Sequence, residues 1–412
     1  MKYGLIGEKL SHSFSKEIHS LLAGYEYELR EIGERELEHF FIRRDFCGVN
    51  VTIPYKQSVI KYLDFVDDAA KSIGAVNTVV NNGGKLYGYN TDAFGFSRLA
   101  NKNNVDFFGK KVLILGSGGT SRTALYVAEQ SGARSALMVS RVKKDGFITY
   151  DEAKKSHADA EIIINTTPVG MYPENACTPI DISCFADLKA VIDVIYNPLK
   201  SCLVLAAENR GITAAGGLYM LIMQAYRSAE LFSGEKIDIK KAERVYKKIF
   251  SGKQNIVLIG MPSAGKTELG KLLSDMLDMP FFDSDGEITK RAGRTPAEII
   301  KSDGEEAFRK IESETLYDLS LKNHSVIATG GGAVTRDENI VNLKANGRIY
   351  YVDRPINLLL SSPDRPLSSS KSAIVALYCE RKLMYEKAAD KTVSNETDLY
   401  SAAEKIREDF LL

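Results

Sequence analysis

Short runs of valine, isoleucine and leucine alternate with helix-length segments along nearly the whole chain. Runs at 112–115, 136–139, 161–164, 190–194, 256–259 and 348–352 are bounded by polar residues and glycines. Apolar runs of this length, repeatedly separated by helical stretches, predict an α/β protein built on parallel sheets. Glycines follow several of the runs, as where strands feed ligand-binding turns. The rhythm breaks once. Residues 234–255 (GEKIDIKKAERVYKKIFSGKQN) are charged and helix-prone, and a strand–glycine-loop unit restarts directly behind them. This places a domain boundary near Ser251–Asn255, with no internal repeat on either side.

A chain of 412 residues accommodates two or three domains of roughly 100–200 residues each. Lys+Arg and Asp+Glu are both 54, so the formal charge is zero. Nucleic-acid binders carry a basic excess, and no nucleic-acid partner is expected. No apolar run approaches the ~18 residues of a membrane span. The N-terminus turns polar at once, so neither a membrane anchor nor a signal peptide is expected. The five cysteines form no C-x-x-C pair and the five histidines no H-x-x-x-H pair. That usage suits reduced thiols in the cytoplasm and gives no dedicated metal cluster.

The restart carries the first chemistry. Gly260, Met261, Pro262, Ser263, Ala264, Gly265, Lys266 and Thr267 spell G-x-x-x-x-G-K-[ST] between a predicted strand and a predicted helix. Such a loop turns backbone N–H groups and a helix N-terminus toward phosphate. Its lysine reaches the terminal phosphates and its threonine offers a hydroxyl to Mg²⁺. An ATP or GTP site follows. Downstream, F-F-D-S-D puts Asp283 and Asp285 at i and i+2. At a strand end they share a face, one for the metal and one for a substrate hydroxyl, although alone the pair reads equally as a solvated turn. Then come D-G-E-E-A-F-R ending at Arg309, T-G-G-G-A with Gly331 and Gly332, R-P-L from Arg365, and R-K-L-M-Y from Arg381. Dispersed arginines suit a carboxylate and a transferring phosphoryl group.

This ordered set resembles shikimate kinase over residues 256–412. The resemblance implies a P-loop kinase with a parallel sheet, in which Lys266, Asp285 and Arg365 are catalytic. It further implies that Thr267 and Asp283 hold Mg²⁺, while Arg309, Arg381, Gly331 and Gly332 bind shikimate. The family's lid usually carries a second arginine before R-P-L that packs on adenine. Residues 356–364 contain none, which predicts weak ATP binding and poor discrimination against GTP.

The first half has its own glycine turn, K-V-L-I-L-G-S-G-G-T-S-R, ending at Arg122. It departs from G-x-G-x-x-G because Ser121 fills the last position, so alone it is equally a plain βα turn. The next predicted strand ends S-R-V-K-K, from Ser140 to Lys144, with no acid. An NAD site wants an acid there; a cationic end suits the 2′-phosphate of NADP. Upstream, polar islands at Ser13 and Ser15, N-V-T-I-P-Y-K, G-A-V-N-T and N-T-D end apolar runs. They supply hydroxyls, amides, one amine and one acid, a lining for a polyhydroxylated acid. Lys56 and Asp92 are the candidates for proton transfer in a ketone reduction.

With N-T-T-P-V-G-M, Y-N-P and G-L-Y-M-L-I-M-Q-A, this series resembles shikimate dehydrogenase across residues 1–250. The resemblance implies a two-lobed α/β dehydrogenase: a substrate lobe from 1–100 and 215–250, and a Rossmann-like NADP lobe from 101–214. By it, Ser13, Ser15, Thr52, Asn77, Asp92 and Gln224 contact shikimate, and Lys56 and Asp92 are the catalytic pair. Gly116, Ser117, Gly118, Gly119, Thr120, Ser121, Arg122, Ser140, Arg141, Thr166 and Met171 serve NADP(H), with Tyr196 near both ligands. The interval from Arg141 to Asn165 is shorter than in members with a further strand and helix there, which trims the nucleotide lobe.

Both halves point to one metabolite. The expected protein is a bifunctional enzyme that reduces 3-dehydroshikimate with NADPH and phosphorylates shikimate with MgATP, toward chorismate and the aromatic amino acids. Residues 251–255 form the expected linker. Two rivals stand beside this reading: a non-catalytic nucleotide-binding kinase-like module behind an active dehydrogenase, and a first half that acts on quinate. Oligomeric state is not legible in the sequence.

Overall fold

Strands that are buried on both faces need helices above and below them, and the apolar runs are arranged in that way. The computed structural model describes residues 1–10, 14–361, 369–396 and 398–411. Ser13 and Arg365 lie outside the described residues. The chain divides into two compact units, Met1–Lys248 and Ile249–Leu412.

The first unit contains two six-stranded sheets. One is built from β1 (Tyr3–Gly7), β2 (Glu28–Glu31), β3 (Gly48–Val51), β4 (Phe65–Val66), β5 (Thr78–Asn82) and β6 (Lys85–Tyr89). Its order is β2-β1-β3-β5-β6-β4, parallel from β2 to β3 and antiparallel around the β5–β6 hairpin. The other holds β7 (Lys111–Leu115), β8 (Ser135–Ser140), β9 (Phe147–Thr149), β10 (Ile162–Asn165), β11 (Ala190–Asp193) and β12 (Thr213–Ala215). It is wholly parallel in the order β12-β11-β10-β7-β8-β9. The chain reverses its direction of travel between β7 and β10, and such switch points are where open α/β sheets take ligands.

The short interval after Arg141 still holds a strand and a helix, which corrects the expectation that its trimming removes them. β9 needs three residues, and helix Tyr150–Ser156 is closed at its start by a Thr149–Glu152 capping box. Reciprocal bonds at the cap let so short a helix form.

The second unit has one parallel sheet, β14-β15-β13-β16-β17. Its strands are β13 (Asn255–Ile259), β14 (Phe281–Asp283), β15 (Val326–Ala328), β16 (Gly347–Asp353) and β17 (Lys391–Ser394). β13 is central, and Ile256 to Ile259 are completely buried. It delivers the 260–265 loop into helix Lys266–Leu277. Among the described residues no helix is long and apolar enough to cross a membrane.

In the first unit, helices Thr91–Lys102 and Leu218–Ser233 pack along each other at Gly95. A Cβ there would stand 2.5 Å from the Met220 carbonyl oxygen and 3.0 Å from the Gln224 nitrogen. The contact is backbone on backbone, so no side chain can yield. Gly95→Ala is expected to cost about 1–3 kcal/mol by overpacking. In a thermal melt of the full chain, the transition of the first unit should fall while that of the second stays in place.

Candidate active sites

Lys56 follows β3, on a turn opened by the cis Ile53–Pro54 bond, and Asp92 lies in the first turn of helix Thr91–Lys102. The structure brings Lys56 Nζ to 2.6 Å from Asp92 Oδ2, with the side chains 18% and 11% exposed. This is a largely desolvated pair open to one side, unlike a surface ion pair. Behind it lies a buried polar network. Asn77 Oδ1 accepts from the Thr91 backbone N–H at 2.7 Å, and Asn77 Nδ2 donates to Thr91 Oγ1 at 3.0 Å. Asn50 Nδ2 donates to Thr78 Oγ1 and Ser228 Oγ, each at 2.9 Å. Asn77 therefore fixes the start of the Asp92 helix. Ser15 is buried at the start of helix Ser15–Leu22, Thr52 is half-buried, and Gln224 is half-buried beside Gly95.

The nucleotide turn reaches the same place. Gly119 begins helix Gly119–Gln130, and a Cβ on it would stand 3.9 Å from Lys56 Cδ. Gly116 holds φ +123°, and a Cβ there would meet Thr166 Oγ1 at 2.5 Å, so only glycine lets β7 and β10 release their loops side by side. Ser121 is completely buried and its hydroxyl bonds back to the Gly118 carbonyl at 2.6 Å. That internal bond explains how a serine occupies the position usually held by a third glycine. Ser117, Gly118, Thr120 and Arg122 share this turn and its helix. Ser140 ends β8, and Arg141 beyond it is exposed.

The three cations after β8 separate in space. Lys143 is bound to Glu152, at 2.7 Å and 2.9 Å, and holds that carboxyl down to about 2. Lys144 lies 6.0 Å from the Phe147 ring centroid. Neither Arg141 nor Lys144 has a carboxylate partner among the described residues, and Arg141 is the one that directly follows the strand end. Thr166 bonds the Leu115 carbonyl at 2.6 Å, Met171 is 44% exposed, and Tyr196 packs edge-on against Phe14.

In the second unit Gly265 holds φ +89° and turns the loop into helix Lys266–Leu277. Lys266 is buried, its Nζ donating to the carbonyls of Gly260 and Met261 at 2.8 Å and 2.9 Å. Ser263 Oγ donates to Leu360 O at 2.9 Å, while Pro262, Gly265 and Thr267 line the cleft. Ala264 is buried below them. Thr267 Oγ1 donates to Asp283 Oδ2 at 2.7 Å, so a hydroxyl and a carboxylate oxygen stand together, the hard oxygen donors that suit Mg²⁺.

Asp283 and Asp285 do not share a strand face as expected. Asp283 ends β14 and caps helix Ser284–Ala292, accepting from the Asp285 N–H at 3.0 Å. Asp285 is already in that helix, and the cap sets the two carboxylates apart.

Arg309 and Arg381 are both buried in the wall of this cleft. Arg309 Nη1 pairs with Glu312 at 2.7 Å and Nη2 with Glu305 at 2.8 Å; Arg381 Nη1 donates to the Gly331 carbonyl at 3.2 Å. A Cβ on Gly332 would overlap the Arg309 guanidinium.

Two residues escaped the sequence reading. Glu312 is completely buried, and its Oε1 has no hydrogen-bond partner. That oxygen and Asp285 Oδ1 both face Gly330, each 2.9 Å from the point where a Cβ would stand. Burial pushes the Glu312 carboxyl up against the opposing pull of Arg309. Its signal was a spacing of three from Arg309 on helix Glu305–Ser320. The other is Arg354, two residues before the lid segment 356–364 that lacks a cation. Its Nη1 lies 3.7 Å from a Cβ position on Gly265, and its Nε is buried without a hydrogen-bond partner.

Residues 5–79 match the family model of the shikimate dehydrogenase substrate binding domain, and residues 262–410 that of shikimate kinase. The shikimate dehydrogenase (NADP(+)) of Clostridium perfringens (strain SM101 / Type A) is 36% identical over 266 residues, 60% of this chain and 97% of that protein. Among solved structures, shikimate dehydrogenase 1 from Peptoclostridium difficile is similar with a TM-score of 0.56 and 38% identity. It covers 60% of this chain and 98% of its own. A chorismate mutase/shikimate 5-dehydrogenase fusion protein from Clostridium acetobutylicum gives a TM-score of 0.56 at 36% identity, over 60% of this chain and 96% of its own.

The Gly332 contact yields a direct check on the second cleft. Gly332→Ala must drive the Arg309 guanidinium off its present position. Calorimetric titration with shikimate should show affinity lower by roughly 10–100-fold, as for a lost charge-assisted pair. Titration with MgADP should change little, and equal losses for both ligands would remove Arg309 from the carboxylate role.

Proposed function

Because the chain belongs to the shikimate dehydrogenase family through its first unit and continues into a shikimate kinase domain, we infer that it catalyses two consecutive reactions. The protein is a bifunctional shikimate-pathway enzyme. Its first unit reduces 3-dehydroshikimate to shikimate, and its second converts shikimate to shikimate 3-phosphate. The observation that carries this reading is that one chain matches both the shikimate dehydrogenase substrate binding domain and shikimate kinase, two families named for the same metabolite.

NADPH supplies the hydride and MgATP the phosphoryl group when bound. The residues present fit both: Arg141 is a free cation for a 2′-phosphate, and Thr267 with Asp283 offers oxygen donors beside a phosphate loop. As the ketone is reduced its oxygen gains negative charge. Lys56 stabilises that charge and delivers the proton, while Asp92 at 2.6 Å keeps the ammonium oriented. Asn77, Ser15, Thr52 and Gln224 hold the ring hydroxyls and carboxylate.

In the second unit Asp285 accepts the proton of the 3-hydroxyl. Arg309 and Arg381 grip the carboxylate, Glu312 keeps Arg309 in place, and the Gly331–Gly332 backbone closes the pocket. Lys266 exchanges its loop carbonyls for phosphate oxygens. Arg354 adds a cation on the flank of the loop, which offsets part of the short lid. The intact Lys266, Thr267–Asp283 and Arg309–Glu312 geometry favours a working kinase over a passive nucleotide-binding module. The five cysteines are unpaired, which supports a reducing compartment, and we place the enzyme in the cytoplasm.

The two sites should be separable. Lys56→Ala should lower NADPH-dependent reduction by ~10²–10⁴-fold, as for a lost acid/base group, with phosphorylation intact. Lys266→Ala should do the reverse, measured on one preparation with 3-dehydroshikimate, NADPH and MgATP and mass spectrometry of the products. Loss of both activities from either folded variant sinks the two-site reading.

Arg141 should decide between the two nicotinamide cofactors. A charge-assisted bond contributes ~1.5–3 kcal/mol, or about 10–150-fold in preference. Arg141→Ala should weaken NADPH by that factor and leave NADH nearly unchanged. Parallel weakening of the two would assign the 2′-phosphate elsewhere.

A further inference from the structure

Asp193, the last residue of β11, is completely buried, and no cation pairs with it among the described residues. Its two oxygens accept three hydrogen bonds. Oδ1 accepts from Asn165 Nδ2 and from the Ile195 backbone N–H, both at 3.0 Å; Oδ2 accepts from the Ser201 hydroxyl at 2.6 Å. Burial lifts its carboxyl to about 6. An acid in this setting is costly to keep, and an apolar side chain would fill the end of a buried strand as well. The sheet does not require it. β10 and β11 are already joined by a regular ladder from Ile162 opposite Ala190 to Asn165 opposite Asp193.

The bonds lead outward to the loops. Asn165 is itself completely buried, and its Oδ1 accepts from the Thr167 N–H at 3.0 Å and the Thr167 hydroxyl at 2.7 Å. Its Nδ2 also reaches the Val169 carbonyl at 3.4 Å. The turn fixed in this way carries Thr166 and leads to Met171. On the other side, Ile195 precedes Tyr196 directly and its carbonyl accepts from the Gly217 N–H at 2.7 Å. The third arm, Ser201, caps helix Cys202–Asn209. One side chain thus ties down the loop after β10, the loop after β11 and a helix start.

We propose that Asp193 is a positioning residue for the nicotinamide cofactor, holding the 166–171 turn through Asn165 and the Tyr196 segment through Ile195 at a fixed separation. The proposal rests on the reading that Thr166, Met171 and Tyr196 face NADP(H). Asp193 touches no reactant; it acts on cofactor binding through the loops.

Initial rates of the full chain test this, with kcat and the melting transition of the first unit as the check on intact protein. Asp193→Ala should raise KM for NADPH by roughly tenfold, as small misplacements of binding groups do, with kcat and KM for 3-dehydroshikimate within about twofold. Asp193→Asn keeps an acceptor for Asn165 and Ile195 and a donor toward Ser201, and should restore KM to within about threefold. Ser201→Ala severs only the helix arm and should lower the melting temperature without moving KM for NADPH. Thr167→Val, at a half-buried loop position, removes the hydroxyl bond of the Asn165–Thr167 link and leaves the backbone one, and should raise KM by about threefold even if Asp193→Ala cannot be purified. A merely structural Asp193 would lower active fraction and melting temperature at constant KM, and that result overturns the proposal. Met171→Asp separates the two layers of argument. If it raises KM for NADPH while Asp193→Ala and Thr167→Val do not, the positioning role alone fails; if none of the three does, the cofactor-facing reading of this turn fails.

Discussion

Strands in a parallel sheet run one way, so their carboxyl ends share one edge and the loops leaving them crowd together. Both chemistries depend on that constraint. In the first unit, neighbouring strand ends deliver Asp193, Asn165, Gly116 and Ser140 in sheet order. In the second, β14 ends at Asp283, and β15, β13 and β16 lead directly into Thr329, Gly260 and Arg354. Residues more than a hundred positions apart therefore meet without any long excursion of the chain. Crowding sets the price at the same places: Gly116 and Gly332 sit where a single added carbon would strike the functional group opposite.

The two units handle charge differently. Lys56 and Asp92 form a pair with one side open, so an incoming oxygen meets a cation that is held but still hydratable. In the kinase cleft the charges lie deeper. Arg309 is flanked by Glu305 and Glu312, and the second oxygen of Glu312 has no partner. A buried acceptor left open in this way is unfavourable in the empty cleft.

Much of this was legible in the chain because the relevant signals are local. Each predicted strand is present within a residue or two, since continuous apolar runs leave little choice. The phosphate loop and the Lys56 and Asp92 motifs are compact words whose meaning survives without a fold. What escaped is what depends on helix geometry or on distance. The acids of F-F-D-S-D looked like strand neighbours because nothing in five letters announces a helix cap. Nothing local marks Glu312 as buried, because its burial depends on what helix Glu305–Ser320 packs against. Arg354 precedes the lid segment 356–364, and the sheet, not the lid, brings it to Gly265. Cations after β8 looked alike until Glu152 claimed Lys143 and Lys144 settled beside Phe147, with Arg141 at the strand end.

The division into two units on one polypeptide has a consequence outside structure. Every ribosome that finishes the chain makes one reductase and one kinase, so the cell cannot adjust their ratio by transcribing one gene more than another. Any balance between the steps has to be written into turnover numbers, and a change that slows one site cannot be answered by making more of it alone. Selection therefore acts on the pair as a single allele.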